Sequence, residues 1–416
     1  MNSSTEHDAK SSEIADMVKG FYDQHPYPRP VLDLDEYALR WQDHGRQLAD
    51  FHLHWPAQPY REDLDILIAG CGTSQAAKHA LRHPAAHVVG IDVSSTSIEH
   101  TEILRRQYNL TNLELHQYPI DRVRELGQLF DKIVCTGVLH HLPDPDAGLR
   151  ALNDVLLPDG ALHLMVYATY GRVGIYILQE YGQRLGIGTS EEEIRDLANT
   201  LTKLSPEHPL ARLLGESPDF RSKAGLADAL LHPQDRSYTV PQLFDLLQKA
   251  GMEFGRWVRQ APYLPQCGDL GRTPHGARLA QLSPPEQCAA VELFRGTMVR
   301  HNVIAYRNDR PDDDQQIRFD NERWLDYVPI RLPQTLCVDE HIPPGPAAVL
   351  INQNHTYPDI VLRIDADEKR LFEAINGRLS IAKIAKKVSM DEKGTRNFIE
   401  RLWRYDQIVF DTSNSG

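Results

Sequence analysis

The chain has 416 residues, of which 41% are hydrophobic and 25% charged, and a formal charge of −13. That composition fits a globular protein of two or three domains, and the excess of acid opposes binding to a phosphate backbone, so nucleic acid is a disfavoured partner. No apolar run approaches the about 20 residues that a membrane-spanning helix requires, so no membrane association is expected.

Taken in chain order, residues 1 to 15 read as a polar tail without the apolar segment of a secretory signal. Ile14 to Asp23 reads as a short helix, ended by Pro26, Pro28 and Pro30, whose rings forbid its continuation. A second helical segment covers about Asp35 to Asp50. A strand–helix rhythm then begins. Leu64 to Ala69 is an almost unbroken apolar run, as a strand buried on both faces must be. Helix Gln75 to Arg82, strand His87 to Ile91, helix Ser94 to Tyr108 and strand Leu113 to His116 follow. Strand Phe130 to Thr136, helix Ala147 to Leu156 and strand Gly160 to Val166 complete the series.

After Tyr167 helical patterns dominate, including Arg172 to Leu185, Ser190 to Leu204 and an amphipathic Pro241 to Ala250 stopped by Gly251. Phe254 to Val258 and Val303 to Tyr306 read as the last strands of the sheet. The acidic stretch Asp309 to Gln316 reads as a linker. Residues 317–360 are proline-rich and show no legible element. Helices are expected over Ala366 to Ile375, Ser380 to Val388 and Asp391 to Arg404, with a strand at Ile408 to Phe410.

The expected fold is therefore α/β, a Rossmann-like, seven-stranded, mostly parallel sheet with helical insertions, plus a small α+β winged-helix-like C-terminal domain. The domain limits are 1–60 for an N-terminal helical or lid segment and 61–310 for the core, with insertions at about 170–240 and 261–300. Residues 311–360 form a linker and irregular region, and 361–416 the C-terminal module. The five cysteines, Cys71, Cys135, Cys267, Cys288 and Cys337, are scattered without a C-x-x-C pair. That argues against a disulfide framework or zinc ribbon, predicts no metal, and fits a reducing cytoplasm.

The strongest chemical signal is Leu67 to Gln75, LIAGCGTSQ. A buried strand running through Gly70-Cys71-Gly72 into a helix brings bare backbone close to a ligand, where a Cβ would intrude or positive φ is needed. Asp92 ends the next strand twenty residues after Gly72, where a carboxylate receives both hydroxyls of a ribose. An aspartate there also serves as an ordinary helix cap. The third glycine of a dinucleotide fingerprint is replaced by Gln75, and no Walker lysine follows. A nucleoside cofactor without phosphates needs neither device, and S-adenosyl-L-methionine fits.

The series GCGTS, GIDVS, FDKIVCTGVLHHLPDP and LLPDGALHLMVYA resembles the successive motifs of class I S-adenosylmethionine-dependent methyltransferases over roughly Asp63 to Ala168. Tyr22-x-x-x-Pro26-Tyr27-Pro28 ahead of it, and Leu230 to Leu243 (LLHPQDRSYTVPQL) after it, resemble a bacterial subgroup of that class. The sequence departs from the commoner pattern in three places. Ile68 stands where an acid usually precedes the first glycine, Ser74 replaces the third glycine, and Tyr118-Pro119 replaces the acid after the third strand. The resemblance implies cofactor contacts from Ala69, Gly70, Cys71, Gly72, Gln75, Asp92, Val93, Ile120 and Thr136, with Tyr22 and Tyr27 as a lid over the cofactor.

His140 and Tyr167, just beyond two strands at the carboxyl edge where ligands bind, are the catalytic candidates. His140 would act as a base only if the acceptor must lose a proton. Both histidines of the LHHL turn also have a structural reading, as groups that shape the pocket by hydrogen bonding. His141, Tyr170, Arg172, His232 and Tyr238 are the candidate acceptor contacts, with Arg172 able to grip a carboxylate or phosphate. The segment Leu371 to Phe410 resembles the winged-helix modules of peptide-binding proteins similar to PqqD, and also winged-helix DNA binders. Its use as a structural or homodimer-forming element, a peptide reader or a nucleic-acid reader stays open. The expected function is methyl transfer to an O, N or S atom of a small metabolite. The alternatives are a peptide or protein methyltransferase guided by the C-terminal module, and a regulator that binds the cofactor without turnover.

Overall fold

The computed structural model describes residues 2–310, 316–342 and 344–413. The predicted linker Asp309 to Gln316 therefore lies largely outside the described residues. Among those described, no helix is long and apolar enough to cross a membrane. The chain divides into two compact units, one of residues 1–38, 62–254 and 295–309, the other of residues 39–61, 255–294 and 310–416.

The first unit is built on a mixed, seven-stranded sheet. Its strands are β1 Asp65–Ala69, β2 His87–Asp92, β3 Leu113–Gln117, β4 Phe130–Thr136, β5 Leu156–Tyr167, β6 Met252–Trp257 and β7 Arg300–Arg307. They lie in the order β3-β2-β1-β4-β5-β7-β6. The first five are mutually parallel and β7 runs antiparallel to β5, from Leu162↔Ala305 to Tyr167↔Arg300. Helices on both faces explain the apolar run in β1, where Ile66, Leu67 and Ile68 are fully buried. Chain direction across the sheet reverses between β1 and β4, and the crevice above the carboxyl ends of these two strands is where an open α/β sheet receives a ligand.

The N-terminal helix runs Asn2–Gln24, longer than the short helix and polar tail read from the sequence. No proline or glycine interrupts residues 2–19, so nothing in the backbone ends the helix early, while its polar composition hides it from an amphipathic pattern. Phe21 joins the core of the helical insertion, packing with Ile175, Leu178, Leu197, Leu226 and Leu230. The insertion comprises helices Val173–Leu185, Glu191–Leu201, Ala211–Glu216 and Lys223–Leu231. Gly171 lies so close to the main chain of Met298 that a Cβ would stand 2.1 Å from the Met298 carbonyl oxygen, which fixes where the insertion leaves the sheet.

The second unit has its own core of Trp324, Leu350, Leu362, Leu371, Phe398, Leu402 and Phe410. Residues 317–360, illegible in the sequence, hold β8 Val328–Arg331, β9 Thr335–Val338 and β10 Ala348–Asn352. With β11 Leu362–Ile364 and β12 Ile408–Asp411 these form two small antiparallel sheets, β11-β10-β9 and β12-β8. Helices Ala366–Ala374, Ile381–Val388 and Glu392–Arg404 stand close to their predicted limits. Helix His44–His54 belongs to this unit, where Ala49 packs with Ile330 and Val409. All these strands are three to five residues long, too short to give a period-2 signal.

Candidate active site

The glycine turn is held from both sides. Gly70 and Cys71 donate their N–H groups to the Ile91 carbonyl at 2.8 and 2.9 Å, tying the turn to the tip of β2. Gly70 has φ +72°, and a Cβ there would stand 2.3 Å from Cγ2 of Val138. Both the backbone angle and the space demand glycine. Gly72, at φ +54°, donates its N–H to Oδ2 of Asp92 at 2.8 Å, and Ser94 donates to Oδ1 at 2.9 Å. Burial raises the Asp92 pKa while these two N–H donors oppose the rise. The carboxylate thus stands at the glycine turn, as a ribose-binding aspartate must, while Ser94, whose N–H it holds, caps the next helix.

Other predicted cofactor contacts lie around this turn. Ala69 ends β1, Val93 follows Asp92, and Gln75 opens the next helix with its side-chain amide donating to Oγ1 of Thr136 at 2.9 Å. Ile120 is buried on the 3-10 turn Ile120–Leu126. Cys71 is buried and its thiol pKa is pushed well up by burial, so it is inert packing rather than a nucleophile. The Pro-Tyr-Pro strip lies directly on the turn. The Tyr27 carbonyl oxygen and Pro28 Cδ are each 3.2 Å from the place of a Gly72 Cβ, and Thr73 Oγ1 donates to the Pro28 carbonyl at 2.7 Å. Asp23 accepts from Ser94 Oγ at 2.8 Å, fastening the N-terminal helix to the same edge.

A second cluster gathers the acceptor candidates. Tyr22 donates its hydroxyl to Oδ1 of Asp228 at 2.9 Å, and Tyr167 donates to Oδ2 at 3.4 Å. The ring of His140 lies 3.8 Å from that of Tyr167, and Arg172 stacks on the same tyrosine with its guanidinium carbon 3.4 Å from the ring centroid. Arg172 also pairs with Asp235 at 3.1 Å, and Gln179 donates to the same carboxylate. The His141 and His232 rings are 3.8 Å apart. Residues 235–238 reach this place because Tyr238 runs beside the end of β5, its N–H donating to the Tyr167 carbonyl at 2.9 Å.

Burial sets the protonation states. His140 is fully buried with no hydrogen-bond partner on either ring nitrogen, and burial pushes its pKa well down. His141 is pushed down to about 4, so both are neutral at pH 7. Asp228 is pushed up to about 7 by burial, against the Tyr22 hydrogen bond that favours its charged form. His141, Asp228 and His232 place ligand atoms within 4.8 Å of one another, as a metal donor set would. The Gln234 N–H donates to His232 Nδ1 at 3.0 Å, however, so the hydrogen of that neutral ring sits on Nε2 and denies a cation its lone pair.

Of the predicted residues, Tyr22 stands with Asp228 rather than at the glycine turn. Tyr170 is half-buried on the 3-10 turn Tyr170–Arg172, and Tyr238 contributes main-chain bonds to the edge of the sheet. Among the residues of the cluster that were not singled out are Asp228, Gln179, Gln234 and Tyr176, whose hydroxyl accepts from Arg172 Nε at 3.2 Å. Asp228 left one trace, a lone acid inside the apolar helical run LADALL. A carboxylate on such a face is retained only with a partner.

Residues 67–162 match a family described as a methyltransferase domain. An uncharacterized protein of Synechococcus sp. is 28% identical over 339 residues, covering 78% of each chain. A ubiquinone biosynthesis O-methyltransferase of Neisseria meningitidis is 32% identical over 122 residues, 25% of this chain and 50% of that one. The chain thus spans about half the length of such curated methyltransferases. PKMT2 from Rickettsia typhi, solved in complex with AdoHcy, shares the fold with a TM-score of 0.60 at 17% identity, over 89% of this chain and 76% of that one. With the glycine turn and Asp92 meeting at the switch point of the sheet, residues 67–162 form a methyltransferase domain on this Rossmann-like fold, with S-adenosylmethionine as its cofactor.

Proposed function

We propose that the protein transfers a methyl group to an O, N or S nucleophile of a small metabolite in the cytoplasm. S-adenosylmethionine supplies the methyl group on a sulfonium leaving group. The observation that carries the reading is the closed set of buried polar side chains beyond β4 and β5. His140, His141, Arg172, Asp228 and His232 are each less than a tenth exposed. A metabolite can be enclosed among such groups, whereas a folded protein cannot reach them. Enclosure holds acceptor and methyl in line, an effect on the order of 7–11 kcal/mol in favourable cases, and excludes water from a step in which charge disperses. All five cysteines are free and four are buried, as suits a reducing compartment.

The test is to incubate the protein with methyl-labelled cofactor and a cell extract divided into metabolites and macromolecules. Label is expected in the metabolite fraction. Label confined to proteins would replace this reading with peptide or protein methylation, and no transfer at all would favour a regulator.

A further inference from the structure

The main chain of one residue, Gln234, sets the tautomers of two facing imidazoles in opposite senses. The Gln234 carbonyl oxygen lies 2.7 Å from His141 Nδ1, and the Gln234 N–H lies 3.0 Å from His232 Nδ1. A carbonyl only accepts, so His141 carries its hydrogen on Nδ1 and a bare lone pair on Nε2. An N–H only donates, so His232 Nδ1 is the acceptor and Nε2 carries the hydrogen. Neither Nε2 has a partner among the described residues, and both side chains are more than nine-tenths buried. The cluster therefore presents one unpaired acceptor beside one unpaired donor, and buried polar groups of this kind require partners. Both oxygens of Asp228, close by, already accept tyrosine hydroxyls.

A ligand group that satisfies this pair must donate one hydrogen to His141 and accept one from His232, and still keep a lone pair for the displacement. A hydroxyl does all three, because its oxygen has two lone pairs and one hydrogen. A neutral amine has a single lone pair, which it cannot give both to His232 and to the methyl carbon. A thiol is weak as donor and as acceptor. Resting on the methyl-transfer reading above, we infer that the acceptor is a hydroxyl compound and that His141 is the general base that takes its proton. The acceptor O–H bond breaks with its proton passing to His141 Nε2. The oxygen electron pair forms the new O–C bond, while the C–S bond breaks and leaves its pair on sulfur. The Asp228 carboxylate balances the imidazolium until the proton passes to water. The His232 N–H holds the oxygen in place, and Gln234 is the positioning residue for both rings.

Three measurements decide this. In protein labelled with 15N at histidine, long-range proton–nitrogen spectra should show His141 protonated at Nδ1 and His232 at Nε2. A His141 ring protonated at Nε2 overturns the proposal without any assay of activity. With 13C-methyl cofactor and the metabolite fraction of a cell extract, the shift of the transferred carbon should be that of a methoxyl group. An N-methyl or S-methyl carbon overturns the hydroxyl assignment alone, whereas the absence of any labelled metabolite overturns the broader reading as well. His141→Gln should slow label transfer by about 10²–10⁴-fold, the usual contribution of a positioned base, with affinity for S-adenosylhomocysteine kept within about twofold. His141→Asn serves as the second variant if the first fails to bind it. An unchanged rate in a variant that binds normally removes His141 from the chemistry.

Discussion

At the scale of single residues the site rests on two carboxylates with opposite tasks. Asp92 is held by two N–H donors at the glycine turn, so its charge is directed at whatever hydroxyls approach the mouth of that turn. Asp92→Ala is expected to weaken S-adenosylhomocysteine binding at least tenfold, about 1.4 kcal/mol, in titration calorimetry; unchanged affinity would remove Asp92 from the cofactor site. Asp228 lies deeper, and burial raises its pKa to about 7. Between the ordinary carboxylate range and pH 7 the folded protein thus holds a proton that the unfolded chain releases. Its contribution to stability is complete near pH 4 and lost as the pH rises through about 7. Asp228→Asn removes this dependence. In urea unfolding followed by circular dichroism, the variant should therefore gain on the wild type between pH 5 and pH 8, and a difference constant with pH would show that Asp228 is charged throughout.

At the scale of elements, the strands buried on both faces left a trace in the sequence, whereas the polar helix Asn2–Gln24 and the short strands β8 to β10 did not. β4 stands at Phe130–Thr136 as predicted, although Asp131 and Lys132 interrupt its apolar run, and β1 differs by one residue. The glycine turn and Asp92 were legible because they are local, a turn and a strand tip whose chemistry is spelled within a few residues. In the acceptor cluster the LHHL turn, Tyr167, Arg172 and His232 were legible, and Asp228 and Gln234 were not. Asp228 reaches Tyr22 across 206 positions and Tyr167 across 61, and Gln234 reaches His141 across 93. No local pattern carries such pairings, which arise from the way the helical insertion folds back on the sheet edge. The tautomers depend on main-chain groups, so the identity of residue 234 holds no signal for them. β8 to β10 were hidden because they are short, with Pro329 inside β8, and because β8 takes its partner, β12, from far along the chain.

At the scale of the whole molecule, the methyltransferase match ends at residue 162, and two separate cores share the remainder. The second unit has a polar joint of its own at Asp406, which is 1% exposed and adopts φ +54°. Its carboxylate accepts the N–H groups of Gln260 and Ala261 at 3.1 and 2.9 Å and faces His355 Nε2 at 3.0 Å, with Arg256 3.5 Å away. Its carbonyl accepts from Asn352 Nδ2. One residue thus ties residues 256–261 to β10 and to the turn before β12, through its carboxylate and its carbonyl. Trp41, Trp55, Trp324 and Trp403 belong to this unit, and Trp257 ends β6, so tryptophan fluorescence reports chiefly its unfolding. Removing one partner of a buried charged network costs about 3–5 kcal/mol because the others are left uncompensated. At about 2–4 °C per kcal/mol for a unit of this size, Asp406→Ala should lower the fluorescence midpoint by roughly 6–20 °C. Asp406→Asn keeps one acceptor for the Gln260 and Ala261 N–H groups while losing the charge that faces Arg256 and His355, so its midpoint should fall between the two. Equal midpoints for the wild type and Asp406→Ala would show that the apolar core around Trp324 and Phe398 holds the unit together without this joint.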